Sequence, residues 1–130
     1  VAEDAHSTLI PPHLKVRFDL PPSNLTVPSR QATILSLLIN ELTANAIHHG
    51  FRDRENGFIR IQSRDEEGTA IIEVFNDGQR VPDGFNPAMS SGLGMKITQR
   101  LVVSDLRGTF TIASGDAGTT ATIRFPIAAE

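Results

Sequence analysis

Residues 40–50 read NELTANAIHHG, and the fold turns on whether this polar, histidine-bearing stretch closes a helix or forms a loop. The residues before it decide for a helix. Leu35, Leu38, Leu42 and Ala46 recur at spacings of three and four, which lines them along one side of a helix running from Arg30 to His49, with Ser29 as its cap. Glu41, Asn45 and His48 then fall on a neighbouring stripe, on successive turns, where their side chains converge. A core-facing helix that carries three polar groups beside its apolar side offers a ligand-binding surface, although a solvated helix face has the same composition.

Outward from this helix, the chain alternates. Residues 14–20 (LKVRFDL) set Leu14, Val16, Phe18 and Leu20 against Lys15, Arg17 and Asp19, the period of an edge or half-buried strand, and Pro21 and Pro22 end it. Beyond the charged turn 52–56, Phe58 to Arg64 and Ala70 to Phe75 alternate on either side of DEEG and predict an antiparallel hairpin. In its second strand Asn76 shares a face with Ile72 and Val74, so a polar group points where apolar ones point. Residues 79–91 read as a loop of lid length, Gly92 to Asp105 as a second helix, and Gly108 to Ala113 with Thr119 to Ile127 as a strand pair around GDAG. Strand, long helix, hairpin, loop, helix, hairpin gives a two-layer α/β (α+β) sandwich: one mixed, mostly antiparallel sheet with helices over one face.

The chain has 130 residues, 39% of them hydrophobic, enough for one domain with one core. A net charge of -3 at pH 7 argues against general nucleic-acid binding. The absence of cysteine leaves neither a disulfide framework nor a thiolate metal site. No apolar run reaches spanning length, and the start VAEDAHSTL lacks the pattern of a signal peptide. We expect residues 1–13 to be a connector from an upstream domain, since the sequence opens at Val1 without an initiator methionine, and residues 14–130 to be the domain itself.

Three stretches carry the chemistry. On the helix, the Asn45 oxygen is a hard neutral donor suited to magnesium; Glu41 is placed to deprotonate or orient a water, and His48 or His49 to donate to a phosphate oxygen. In residues 76–82 (NDGQRVP), Gly78 lets a flat ring approach the backbone and Asn76 supplies an amide whose oxygen can accept from an exocyclic amine; an ordinary Asp-Gly turn has the same sequence. In residues 92–97 (GLGMKI), free N–H groups at a helix start suit an anion and Lys96 adds a cation, though a lone GxG is also a plain tight turn. Thr119, in AGTT, offers a hydroxyl if its turn borders the pocket.

Taken in order, NELTANAIHHG, NDGQRVP, GLGMKI and AGTT resemble the N, G1, G2 and final G boxes of the GHKL ATPase superfamily, which includes sensor histidine kinases, gyrase B, MutL and anti-sigma-factor serine kinases. Within it, the chain looks most like the catalytic ATP-binding domain of bacterial two-component histidine kinases. The resemblance implies a Bergerat-type fold holding ATP and Mg2+ between helices and lid. It places magnesium on Asn45, the acidic catalytic position at Glu41 and the basic one at His48, with His49 beside it. Asn76, Asp77, Gly78, Val81 and Thr119 fall around the base, and Ser91, Gly92, Leu93, Gly94 and Lys96 at the phosphates. Asn76 stands where many members have an adenine-recognising aspartate, and Arg80 where the second G1 glycine stands.

The implied partners are ATP, a helical dimerisation domain of the same protein that carries the acceptor histidine and, indirectly, a response regulator. Contact with nucleic acid or membrane is not implied, and the implied compartment is the cytoplasm. His6 and His13 flank a proline-rich stretch and lie in no amphipathic helix, so neither reads as the acceptor. Two other functions fit the same motifs: an anti-sigma-type serine kinase, and a nucleotide-binding module without phosphotransfer.

Overall fold

A computed structural model of the protein describes residues 12–51, 54–78 and 93–129. The alternating segment forms β1 (Lys15–Asp19), which lies parallel to β2 (Asn56–Glu66) in register Lys15↔Asn56 to Asp19↔Arg60. Parallel neighbours need a crossover, and α1 (Ser29–Asn45) supplies it. β2 returns through Glu67 and Gly68, both at positive φ (53° and 90°), into β3 (Thr69–Asn76). The Asp65 carboxylate accepts the Gly68 N–H at 2.9 Å and holds this turn. α2 (Leu93–Arg100), β4 (Thr109–Ser114) and β5 (Thr119–Pro126) follow, and the sheet order is β1-β2-β3-β5-β4, antiparallel after the first pair. Among the described residues no helix is long and apolar enough to cross a membrane.

The expected two layers are present, with one mixed sheet. Ile59, Ala70, Ile72, Val74, Ala121, Ile123 and Phe125 are buried on one face of it, in one cluster with Ile34, Leu38 and Leu42 of α1 and with Val102 and Leu106 from the end of α2. Ile34 takes the buried place expected of Leu35, which packs at the flank of the cluster. The opposite face is polar with an aromatic patch: Phe58 and Phe75 lie 6.2 Å apart, and Arg17 sits 4.7 Å over the Phe58 ring. There Glu66 and Glu73 each hydrogen-bond Arg64 at 2.7 Å and raise its pKa.

Two boundaries differ from expectation. Ser29 is not the helix cap but the first residue of α1: Pro28 is the cap, at φ -58° and ψ 156°, and its carbonyl accepts the Ala32 N–H at 2.9 Å. The proline ring fixes the extended entry one residue early, and no side-chain oxygen caps the helix. Both helices also end in a π turn, Ala46–Gly50 and Leu101–Asp105, closed by Phe51 N–H to Ala46 O at 2.9 Å and Leu106 N–H to Leu101 O at 3.0 Å. The first turn buries Ala46, Ile47 and Phe51 while leaving His48 exposed.

Amide side chains close what the strands leave open. β1 ends opposite Arg60, and beyond it Ser23 donates to Ser63 O at 2.9 Å while Asn24 takes both backbone groups of Asp65, at 2.9 and 3.3 Å. Buried Gln31 does the same at the end of β5, donating to Pro126 O and accepting from Ala128 N–H, both at 3.0 Å.

Adjacent leucines of α1 give a direct test of this packing, since Leu38 is 0% exposed and Leu37 is 55% exposed. Leu38→Ala is expected to cost about 2–5 kcal/mol in urea denaturation and Leu37→Ala less than about 0.5 kcal/mol. Equal losses would place α1 wrongly on the sheet.

Candidate functional site

Two close approaches bring the end of α1 to one end of the sheet. The Phe51 ring covers Gly57 so tightly that a Cβ there would strike Cδ2, Cε2 and Cζ of the ring, and only glycine admits the ring at the start of β2. The Arg54 guanidinium lies 5.3 Å from the centroid of the same Phe51 ring and donates to the Asp77 carbonyl at 2.6 Å and to its carboxylate at 3.4 Å. The remaining Asp77 oxygen accepts the Phe58 N–H at 2.9 Å, and the Asp77 N–H reaches Phe58 O at 3.2 Å. Asp77, expected near a ligand base, is thus engaged in joining the ends of β2 and β3. Only the register Ile59↔Asn76 makes this visible, and sequence alone does not supply it.

At that end Ile59, Asn76, Thr119 and Ser114 form one cross-strand row on the helix-covered face. Ile59 and Thr119 are buried and Asn76 is half-buried, as its alternation with Val74 requires. The Asn76 Oδ1 accepts the Gly78 N–H at 3.0 Å, and the Thr119 and Ser114 hydroxyls are 2.8 Å apart. Sequence reasoning missed Ser114, yet the symmetry of Ser114 and Thr119 about the four residues GDAG marks them as a pair. It also missed Gly118. At φ 152°, with a would-be Cβ directed into the Asn76 carbonyl and the Asp77 Cα, this glycine lets β5 begin hard against the strand end that presents Asn76.

Glu41 and Asn45 are half-buried and His48 exposed, on the last turns of α1 that lead to Phe51. No other described residue gives any of the three a hydrogen bond or ion pair. Among the described residues no three His, Asp or Glu side chains converge as a metal cage. Leu93 and Gly94 open α2, antiparallel to α1, for the Arg30 guanidinium reaches the Asp105 carbonyl at 3.5 Å at the far end. Lys96 is exposed and, with Gln99, Arg100, Val103 and Ser104, lines a groove of about 280 Å³ on α2. The side chain of His49 and residues Arg80, Val81, Ser91 and Gly92 lie outside the described residues.

Residues 30–129 match the family described as histidine kinase-, DNA gyrase B-, and HSP90-like ATPase. Sensor histidine kinase PdtaS of Mycolicibacterium smegmatis is 35% identical over 101 residues, which are 75% of this chain and 20% of that protein. The solved structure of a blue-light activated histidine kinase of Erythrobacter litoralis superposes with a TM-score of 0.78 at 26% identity, covering 97% of this chain and 39% of that one. Histidine kinase ThkA, solved in complex with the response regulator protein TrrA, shares the fold at 22% identity and a TM-score of 0.69, over 97% of this chain and 37% of that one. The chain therefore spans well under half the length of each.

The Asn76 row depends on Gly118, and two neighbouring glycines test the dependence. Gly118→Ala is expected to lower stability by about 1–3 kcal/mol and to shift the amide resonances of Asn76 and Asp77. Gly115→Ala, whose Cβ would meet no atom within 4 Å, should leave both unchanged.

Proposed function

The chain belongs to the histidine kinase-, DNA gyrase B- and HSP90-like ATPase family, and from that membership we propose that it is the MgATP-binding catalytic domain of a sensor histidine kinase. The observation that carries the reading is the set Glu41, Asn45 and His48 at the end of α1 and in the π turn after it, without a hydrogen bond to other described residues, at the end of the sandwich where Asn76 and Thr119 sit side by side. Helix and sheet end together offer polar groups to a ligand with a charged part and a flat polar part. A nucleoside triphosphate has both.

In this reading Asn76 and the Thr119 row meet the base, with Gly78 and Val81 beside it, and α1 meets the phosphates. The same reading assigns Ser91, Gly92, Leu93, Gly94 and Lys96 to those phosphates. The Asn45 oxygen is a ligand of Mg2+, and a single neutral donor fits an ion that takes the rest of its shell from water and phosphate oxygens. When bound, the ion neutralises charge on the β- and γ-phosphates. Glu41 orients or deprotonates water at that shell, while His48, with His49 following, donates to a phosphate oxygen.

The γ-phosphoryl group passes to a nitrogen of an acceptor histidine on a separate helical dimerisation domain, with ADP leaving. Positioning and charge neutralisation carry most of this catalysis. The surface for that partner is the exposed apolar pair Ile97, on α2, and Val103, in the π turn after it, 50% and 47% exposed, with Lys96 and Arg100 exposed nearby. The phosphohistidine then serves a response regulator, a class of protein seen bound to ThkA. The domain works in the cytoplasm, where ATP is present.

Isothermal titration of ATP with Mg2+ and with EDTA checks the metal assignment. Removing Mg2+ is expected to weaken binding, and Asn45→Ala to cost at least about tenfold in affinity with Mg2+ and little without it. An Asn45→Ala protein that keeps the full magnesium effect would remove Asn45 from the metal. In the full-length protein, Ile97→Asp with Val103→Asp should abolish acceptor phosphorylation while the ATP affinity stays within about twofold of the native value.

A further inference from the structure

The hydrogen bond at Asn76 fixes which half of its carboxamide faces a base. The Gly78 N–H is a donor, so the atom 3.0 Å from it is an acceptor, and only Oδ1 qualifies. This removes the usual ambiguity between the oxygen and nitrogen of an amide. Nδ2, with two N–H groups, is turned away from Gly78 and has no hydrogen-bond partner among the described residues. It is not sealed in the core either: among the described residues, the side-chain atoms both buried and without a partner are Thr43 Oγ1 and Gln99 Oε1. Register fixes its neighbourhood: Ile59 on one side, Thr119 with its Ser114 partner on the other, and Gly118 against the Asn76 carbonyl behind. The donor is thus presented on the helix-covered face.

A purine shows two polar atoms on the edge that such a group would read. Adenine has a donor at N6 and an acceptor at N1; hypoxanthine and guanine have the reverse, an acceptor at O6 and a donor at N1–H. A carboxylate at this position accepts only, and a 6-oxo group against it is repelled. The Asn76 carboxamide donates through Nδ2 and retains one Oδ1 lone pair beyond the one given to Gly78, so it can meet either order. We propose that Asn76 makes this nucleotide site tolerant at purine position 6, so that 6-oxopurine triphosphates bind alongside ATP. The proposal rests on the nucleotide-site reading above and deepens it to a substrate class.

The variant that tests it keeps the local fold. Asn76→Asp still accepts the Gly78 N–H, so the turn survives, while the outward donor is lost. The native protein is titrated with MgATP and MgITP, the inosine nucleotide changing position 6 and N1 without adding an amino group at position 2. The dissociation constants are expected to agree within about tenfold for the native chain, and the preference for ATP to rise by at least about tenfold in Asn76→Asp. ITP binding more than about tenfold weaker than ATP in the native protein would overturn the proposal and leave the ATP site standing. The same holds for an ATP:ITP ratio unmoved by Asn76→Asp. Failure of both nucleotides to bind would overturn the nucleotide reading itself.

Discussion

Covering one face of a five-stranded sheet with two helices is the constraint on which the rest of this molecule depends. Leu38 of α1 and Val102 beside α2 are fully buried with Ile59, Ile72 and Ile123, and burying such side chains contributes about 1.5–3 kcal/mol each before entropy is counted. That contact seats the helices, with Gln31 of α1 adding hydrogen bonds at the end of β5, whereas the sheet's other face carries charge pairs and the stacked contacts of Arg17 and Arg60 on Phe58. Everything polar on α1 is therefore fixed in direction by what its apolar side must do. Glu41 and Asn45 stand half-buried at the layer boundary because their turns also carry Leu38 and Leu42.

This explains how much of the fold was legible in the sequence. Alternation in LKVRFDL and in the hairpin around DEEG gave strands within two residues of those observed, and the leucine spacing gave the long helix. Both signals reflect burial on one side, which a linear pattern records well. The cap was misread because Pro28 and Ser29 compete for one position and the proline's fixed φ wins. The π turns and the ties made by Asn24 and Gln31 left no linear trace, since each depends on groups that meet only when the chain has folded.

The candidate site was legible in part, for the same reason. Side chains on one element could be grouped by period, which put Glu41 and Asn45 on α1 and His48 on the π turn that follows it. What crosses elements could not. Asp77 binding Phe58 and Arg54, and Gly118 lying against Asn76, both follow from register between strands. Family membership supplied what geometry does not, the identity of the ATPase class.

The carboxamides of Asn24 and Gln31 have a further consequence, in colloidal behaviour. Where β1 gives out, the far end of β2 would show unpaired backbone groups, a template on which another copy could add a strand. Asn24 occupies both groups of Asp65 with one side chain, and Gln31 does so at the end of β5. A side chain satisfies the ladder without continuing it, so each strand ends in a dead stop where a backbone partner would have left a fresh edge. Two polar side chains thus pair backbone groups that the neighbouring strands leave open.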